Sequence, residues 1–211
     1  MGQVTGTYGG RSAQERQADR RERFLAAGLE LFGTGRGYRA ASVTALCEAA
    51  RLSTRQFYEE FRNLEDVLAR LHLRVNDRTE QAVLRALTDA AGLGFEQRIT
   101  AVLRAYVTAA TGDPRRLRIA FVEIVGVSAE LERQRLVRRS RWVALLVAEA
   151  EAAAARGEAV ARDYRLAATA FIGAVNGLLH DWTAGQFQAT LDQIIDELAA
   201  LLLGVTRPAA H

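Results

Sequence analysis

Proline occurs only twice in this chain, at Pro114 and Pro208. A proline removes a backbone donor and clashes with the preceding helical turn, so everything before Pro114 is free to form long helices. Apolar residues recur at three- and four-residue spacing along nearly the whole chain, which gathers them on one stripe of a helix. No segment alternates apolar and polar residues as a half-buried strand does. The chain therefore reads as all-α, with no internal repeat.

Caps and breakers divide this pattern. Ser12 and Glu15 make a Ser-x-x-Glu capping box that starts the first helix. Its buried stripe would be Phe24, Ala27, Gly28, Leu31 and Phe32, and Gly33, Gly35 and Gly37 stop it. Ser42 caps a short second helix carrying Val43, Leu46, Cys47 and Ala50. Arg51-Leu52-Ser53 is a turn, and Ser53 caps a third helix ending between Tyr58 and Glu60. Asn63, with Asp66 three positions on, opens a long fourth helix that reaches about Ala90 before Gly92-Leu93-Gly94. Further helices are predicted over 95–111, 115–125, 128–155, 163–183 and 188–204. The Gly/Thr-rich first residues are expected to be disordered. The implied organisation is a tail over 1–11, an N-terminal unit over 12–62 and a body over 63–211.

Hydrophobic residues make up 49% of the chain, enough for a sizeable core, yet no apolar run approaches the roughly 20 residues of a membrane span. The opening MGQVTGTYGGRSAQERQADRR has no apolar signal region. Cys47 is the single cysteine, which excludes a disulfide framework and zinc-ligand spacing. Its place on the buried face of the second helix suits a small hydrophobe. These features predict a cytoplasmic protein. Charge is unevenly placed: residues 1–64 hold 10 Arg and 7 acids, whereas residues 65–211 hold 18 of each. A basic segment on a neutral body points to a polyanion partner at one end. His72, His180 and His211 are far apart, and neither a Gly-rich phosphate loop nor a nucleophile elbow occurs. The expectation is no enzyme, no metal and no cofactor.

Two short helices joined by a tight turn and resting on a longer one are the parts of a helix-turn-helix, which lays its second helix in the DNA major groove. The stretch CEAARLSTRQFYEEF carries Ser53, Thr54, Arg55 and Gln56 at the start of that helix, where side chains reach base edges. Arg pairs bidentately with guanine and Gln with adenine. Phe57 and Phe61 face inward, leaving the Tyr58 hydroxyl for a phosphate. Ser42 and Thr44 at the head of the second helix join the candidate DNA contacts.

The stretch RFLAAGLELFGTGRGYRAASVTALCEAARLSTRQFYEEFRNLEDVL resembles the N-terminal domain of TetR-family (tetracycline repressor-like) transcriptional regulators. The matching residues are Ala27, Leu31, Phe32, Gly37, Ser42, Ala50, Leu52, Ser53, Phe57, Tyr58, Phe61, Glu65 and Leu68, and the likeness covers roughly residues 20–70. It departs from the family pattern at Arg51, where the family has the turn glycine, and at Leu64, where it has a phosphate-binding lysine. Arg51 would accept positive φ at a cost of roughly 1 kcal/mol in exchange for a phosphate contact, or the turn would take another geometry. Arg62 would stand in for the lysine, and Arg39 is a further phosphate partner.

The resemblance implies a homodimer, a palindromic DNA operator and an unidentified small-molecule effector. It also implies that the protein is a repressor that the effector releases from DNA. In the family the last two long helices pair across a two-fold axis. Here Ala170, Gly173 and Gly177 would allow close approach, with Leu191, Ile194, Ile195, Leu198 and Leu202 as the matching apolar stripe; the same stripe would equally serve a monomer's own core. Candidate pocket residues on the middle helices are Tyr106, Phe121, Glu123, Trp142, Phe171 and Asn176, and core packing is the competing role for each. Aromatics beside a carboxylate would suit a cationic or amphiphilic aromatic ligand. The alternative function is a helical adapter using the N-terminal unit on a protein partner.

Overall fold

The structure, a computed structural model, describes residues 12–206; the tail expected over 1–11, and with it Pro208 and His211, lie outside the described residues. Every regular element among the described residues is helical. Helix α1 (Ala13–Gly33) leads through a 3-10 turn (Tyr38–Ala40) into α2 (Val43–Ala50) and α3 (Thr54–Glu60). Helices α4 (Leu64–Asp89) and α5 (Phe95–Thr111) follow, then α6 (Pro114–Arg118) and a single π-helical turn (Ile119–Glu123). Helices α7 (Ala129–Ala155), α8 (Arg165–Thr183) and α9 (Leu191–Thr206) complete the fold.

The caps read from the sequence are made. Ser12 Oγ accepts from Glu15 N (3.1 Å) while Ser12 N donates to Glu15 Oε2 (2.6 Å). Ser42 Oγ accepts from Ala45 N (3.1 Å), and Asn63 Oδ1 accepts from Asp66 N (2.9 Å). The single helix predicted over 115–125 is instead α6 followed by the π turn. A π turn aligns residues five apart rather than three and four apart. That aligns Ile119 with Ile124, both buried in the first of two cores, while Ala120 and Phe121 pack into the second.

The first core gathers Phe24, Phe32, Leu46, Phe57 and Phe61 from the N-terminal helices. It is completed by Val67, Leu68 and Leu71 of α4 and by Ile119, Ile124 and Leu131 from far along the chain. Phe24 meets Phe57 and Phe61 edge-on, at 5.5 and 6.0 Å between centroids, the favoured aromatic geometry. The second core is built by α5, α8 and α9 around Leu103, Val107, Leu179, Ile195 and Leu198.

The two cores meet where the loop after α1 touches the π turn. Gly37 has φ 76°, and a Cβ there would sit 2.3 Å from Glu123 Oε1. Only glycine satisfies both constraints. With the side chain absent, Glu123 accepts from Tyr38 N (2.8 Å) and pairs with Arg118 Nε (2.7 Å), while Arg118 also donates to Gly35 O (3.2 Å). At Gly33 a Cβ would lie 2.5 Å from Arg115 Cβ, so α1 also packs tightly on α6.

Glu60, at the end of α3, is only 6% exposed. Arg20 donates to its Oε1 from Nε (3.3 Å) and Nη2 (3.1 Å), and Arg21 donates to its backbone oxygen (3.2 Å). A buried carboxylate requires such partners, and they clamp α3 onto α1. Replacing Glu60 with Ala is expected to lower unfolding free energy by about 2 kcal/mol, since both arginines can turn to solvent. Glu59→Ala, whose pair is exposed, should change it by less than about 0.5 kcal/mol. Urea denaturation of the two variants checks this; equal effects would contradict the clamp.

Candidate functional site

Helix α3 is held by one face and offered by the other. Phe57 is fully buried, Glu60 and Phe61 nearly so, and these three fix its orientation. Opposite them the Arg55 side chain is 89% exposed and Tyr58 is 60% exposed. Arg55 Nε pairs with Glu59 (3.2 Å), an exposed contact that solvent screens. Thr54, Arg39, Ser42, Thr44, Arg51, Ser53 and Arg62 are also exposed. The structure thus presents nine of the ten predicted DNA contacts to solvent.

Gln56 is the exception. It is half-buried, and its Oε1 accepts from Ser53 N (2.9 Å) and from Ser53 Oγ (3.1 Å), while Ser53 Oγ accepts from Gln56 N (3.3 Å). This is a closed capping box. The carboxamide oxygen has both lone pairs occupied, so the bidentate adenine pairing expected of Gln56 is unavailable while the cap holds. Thr54, and Arg55 with its solvent-exposed pair to Glu59, remain outward at the start of the helix.

Arg51 takes the left-handed conformation (φ 54°, ψ 45°) that the family gives to glycine. Its N–H reaches the carbonyls of Cys47 and Glu48. Arg23 Nη2 caps the same helix end, donating to Ala50 O (2.7 Å) and Arg51 O (2.8 Å). These bonds offset the strain of a side-chain-bearing residue in that region. Three of the ten N-terminal arginines, Arg20, Arg21 and Arg23, are thereby committed to holding the motif together.

A cavity of about 200 Å³ lies between α4, α5, the π turn, α7 and α8. Tyr106, Phe121, Trp142 and Asn176 line it, as predicted. Tyr106 and Trp142 meet edge-on at 5.3 Å, and burial raises the Tyr106 phenol above its usual range, keeping it neutral. Asn176 donates to Ile172 O (2.7 Å), leaving its carbonyl oxygen for another partner. Two predicted lining residues are elsewhere. Glu123 faces Tyr38 and Arg118 at the junction of the two cores, because the π turn rotates it away. Phe171 packs in the second core beside a separate apolar space of about 50 Å³. Glu123 is off the cavity wall, where Arg135, Arg138 and Arg139 outnumber the one lining carboxylate, Glu132, itself paired with Arg135 (2.6 Å), so the cationic ligand inferred from Glu123 loses that support.

The stripe predicted for dimerisation is the protomer's own core. Ile194, Ile195, Leu198 and Leu202 are at most 7% exposed, and Leu191 packs against the same cluster. Helix α9 is apolar around most of its circumference, and α5 covers this stripe. Exposed instead are Leu201 and Val205 on α9, with Leu166, Ala170, Ala174 and Gly177 on α8; Gly173 is half-buried beside Arg139.

A family model for the tetracyclin repressor-like C-terminal domain matches residues 92–206. The chain belongs to the TetR family of transcriptional regulators. No curated protein matches it in sequence. Among solved structures, the fatty acid degradation regulator FadR from Bacillus halodurans is similar at 19% identity and TM-score 0.74, covering 88% of this chain and 95% of that one. FadR from Bacillus subtilis, in complex with stearoyl-CoA, is similar at 18% identity and TM-score 0.73, covering 88% and 99%. AibR, in complex with isovaleryl coenzyme A and operator DNA, is similar at 22% identity and TM-score 0.67, covering 86% and 97%. At these identities the likeness is one of fold.

Sequence reasoning missed several cavity residues of this TetR-family chain, His72 above all. His72 interrupts an apolar stripe of α4 formed by Leu68, Leu71 and Val75, a register signal that was present. It is 8% exposed, and Asn76 Nδ2 approaches its Nε2 at 3.1 Å. Desolvation, reinforced by Arg135 and Arg138, holds its pKa down to about 4 from 6.5. Between those values unfolding takes up a proton, so the stability due to neutral His72 is complete above pH 6.5 and is lost as pH falls toward 4. The loss is at most about 3 kcal/mol. His72→Gln should flatten the pH dependence of unfolding free energy over that window, measured by urea denaturation; an unchanged slope would assign the effect to another group.

Proposed function

We propose that the protein is a repressor that binds a palindromic operator as a homodimer and is released by a small amphipathic anion bound in the cavity. The observation that carries the DNA reading is the division of α3: Phe57, Glu60 and Phe61 locked inward, Thr54, Arg55 and Tyr58 held outward. A single short helix buries too little surface for a tight site, and two-fold pairing doubles the contact on two half-sites about 34–36 Å apart. The exposed Ala170, Ala174 and Gly177 of α8, with Leu201 and Val205 of α9, are the surface that supports the pairing.

The cavity wall supports the release step. Helix α4 lines the cavity with Val75 and Thr79 and enters the N-terminal core with Val67 and Leu68. The π turn lines it with Phe121 and, two residues on, holds the Tyr38 N–H through Glu123. An effector that binds better when these walls shift favours a dimer whose recognition helices are misplaced for successive grooves. An aromatic floor with arginines at its edge suits an anionic head on an apolar body.

DNA selected from random oligonucleotides should bind with an affinity that falls steeply as salt rises. Arg55→Ala should cost about 1–3 kcal/mol and relax preference at one base pair, whereas Tyr58→Phe should weaken all sequences alike. Salt-independent binding without a preferred site would remove the regulator reading.

Glu123→Ala should free the Gly35–Tyr38 loop. By fluorescence anisotropy, operator affinity of the ligand-free protein should drop by about three- to tenfold, the range of one ordinary hydrogen bond of about 0.7–1.4 kcal/mol, and the further drop caused by effector should shrink. Unchanged affinity together with an unchanged effector response would sever the π turn from the mechanism.

A further inference from the structure

An open groove of about 590 Å³ lies between α4 and α7, outside the cavity just described. Cavity and groove share two wall residues, His72 and Arg138. The groove collects four arginines: Arg62 from the link before α4, Arg70 from α4, and Arg133 and Arg138 from α7. Two carboxylates, Asp66 and Glu130, also face it. Asp66 lies 3.7 Å from Arg62, Glu130 pairs with Arg133, and Arg138 turns toward Asp77 (2.7 Å) and Glu80 (3.1 Å). Arg70 has no ion-pair or hydrogen-bond partner among the described residues. Leu73 and the 58%-exposed Val137 add an apolar strip along the same groove.

The inner cavity alone is too small for a ligand. Ligand pockets commonly measure about 300–1,000 Å³. The inner cavity, at about 200 Å³, falls below that range, whereas the groove, at about 590 Å³, and the two together fall within it. As the smaller space, with Tyr106 and Trp142 on its wall, the inner cavity suits a short acyl or aryl tail. The groove has no aromatic floor, but its arginines offer planar forks that match phosphate oxygens.

Building on the reading of the cavity as the effector site, we infer that the effector is bipartite: a short apolar tail in the inner cavity and a phosphate-bearing head in the α4–α7 groove, seated on Arg70 and Arg133. Arg62 belongs to this groove and also to the exposed surface beside α3, so a head that reaches it withdraws a cation from the DNA side. Acyl thioesters of coenzyme A and lysophospholipids share this chemistry.

Calorimetric titration of the full chain separates the possibilities. The probes are a series of acyl-coenzyme A thioesters from acetyl to stearoyl, the matching free acids, lysophosphatidates, and coenzyme A alone. At least one phosphate-bearing probe should bind about tenfold or more tightly than its free acid, with the optimum at a short chain. A thioester or a lysophosphatidate in that role identifies the source of the head. Arg70→Ala and Arg133→Ala should each reduce the preference over the free acid at least threefold. Equal affinity for phosphate-bearing probe and free acid overturns the bipartite assignment and leaves the effector cavity standing. A preference that survives both substitutions overturns the groove as its seat. Binding by no probe overturns the inference together with the effector reading beneath it.

Discussion

Helix α4 belongs to two cores at once, and the remaining arrangement follows from that. Its 26 residues span about 39 Å as a straight helix. The first turns bury Val67, Leu68 and Leu71 against the N-terminal helices, while His72, Val75 and Thr79 face the cavity. A packed helix moves as a rod, because interiors are dense and resist local deformation. In the proposed release step, displacement at the cavity end would reach the seat of α3 along this helix. The π turn makes a second connection, through Phe121 on one side and Glu123 on the other.

Within the N-terminal unit the arginines have two separate tasks. Arg20 and Arg21 neutralise buried Glu60, and Arg23 closes the C-terminal end of α2; all three point into the protein. Arg39, Arg51, Arg55 and Arg62 point outward. The charge excess counted over residues 1–64 is consequently not the charge that a nucleic acid would meet. What faces outward is a smaller set, placed by the inward one. Polar groups at the start of α3 divide in the same way, with Ser53 and Gln56 satisfying the helix end and Thr54 and Arg55 turned outward.

The cavity shows how one displaced side chain changes the chemistry inferred for a site. Counted as a lining residue, Glu123 would suggest a cationic guest. Placed at the junction of the two cores, it leaves Glu132, itself paired with Arg135, as the one carboxylate among the arginines of the wall, and the anionic guest proposed above rests on that balance. The arginine-dense segment of α7 becomes a wall through its approach to α4.

Local interactions made much of this protein legible from its residues. Helix starts depend on contacts three residues long, and Ser12, Ser42, Ser53 and Asn63 cap where the sequence says they do. The helix-turn-helix and its aromatic seat likewise follow from short spacings, and Ser53-x-x-Gln56 could have been read as a capping box. Long-range packing decided the rest. Helix α9 is apolar on more than one stripe, so periodicity could not say which stripe α5 would cover. The direction of Glu123 depends on a π turn that no short-range pattern announces. Arg20, Arg21 and Arg23 resemble any charged helix face until Glu60 and the end of α2, tens of residues away, arrive beside them. Local hydrogen bonding is encoded within a few positions; the partner of a side chain across the fold is fixed only when the whole chain has closed around it.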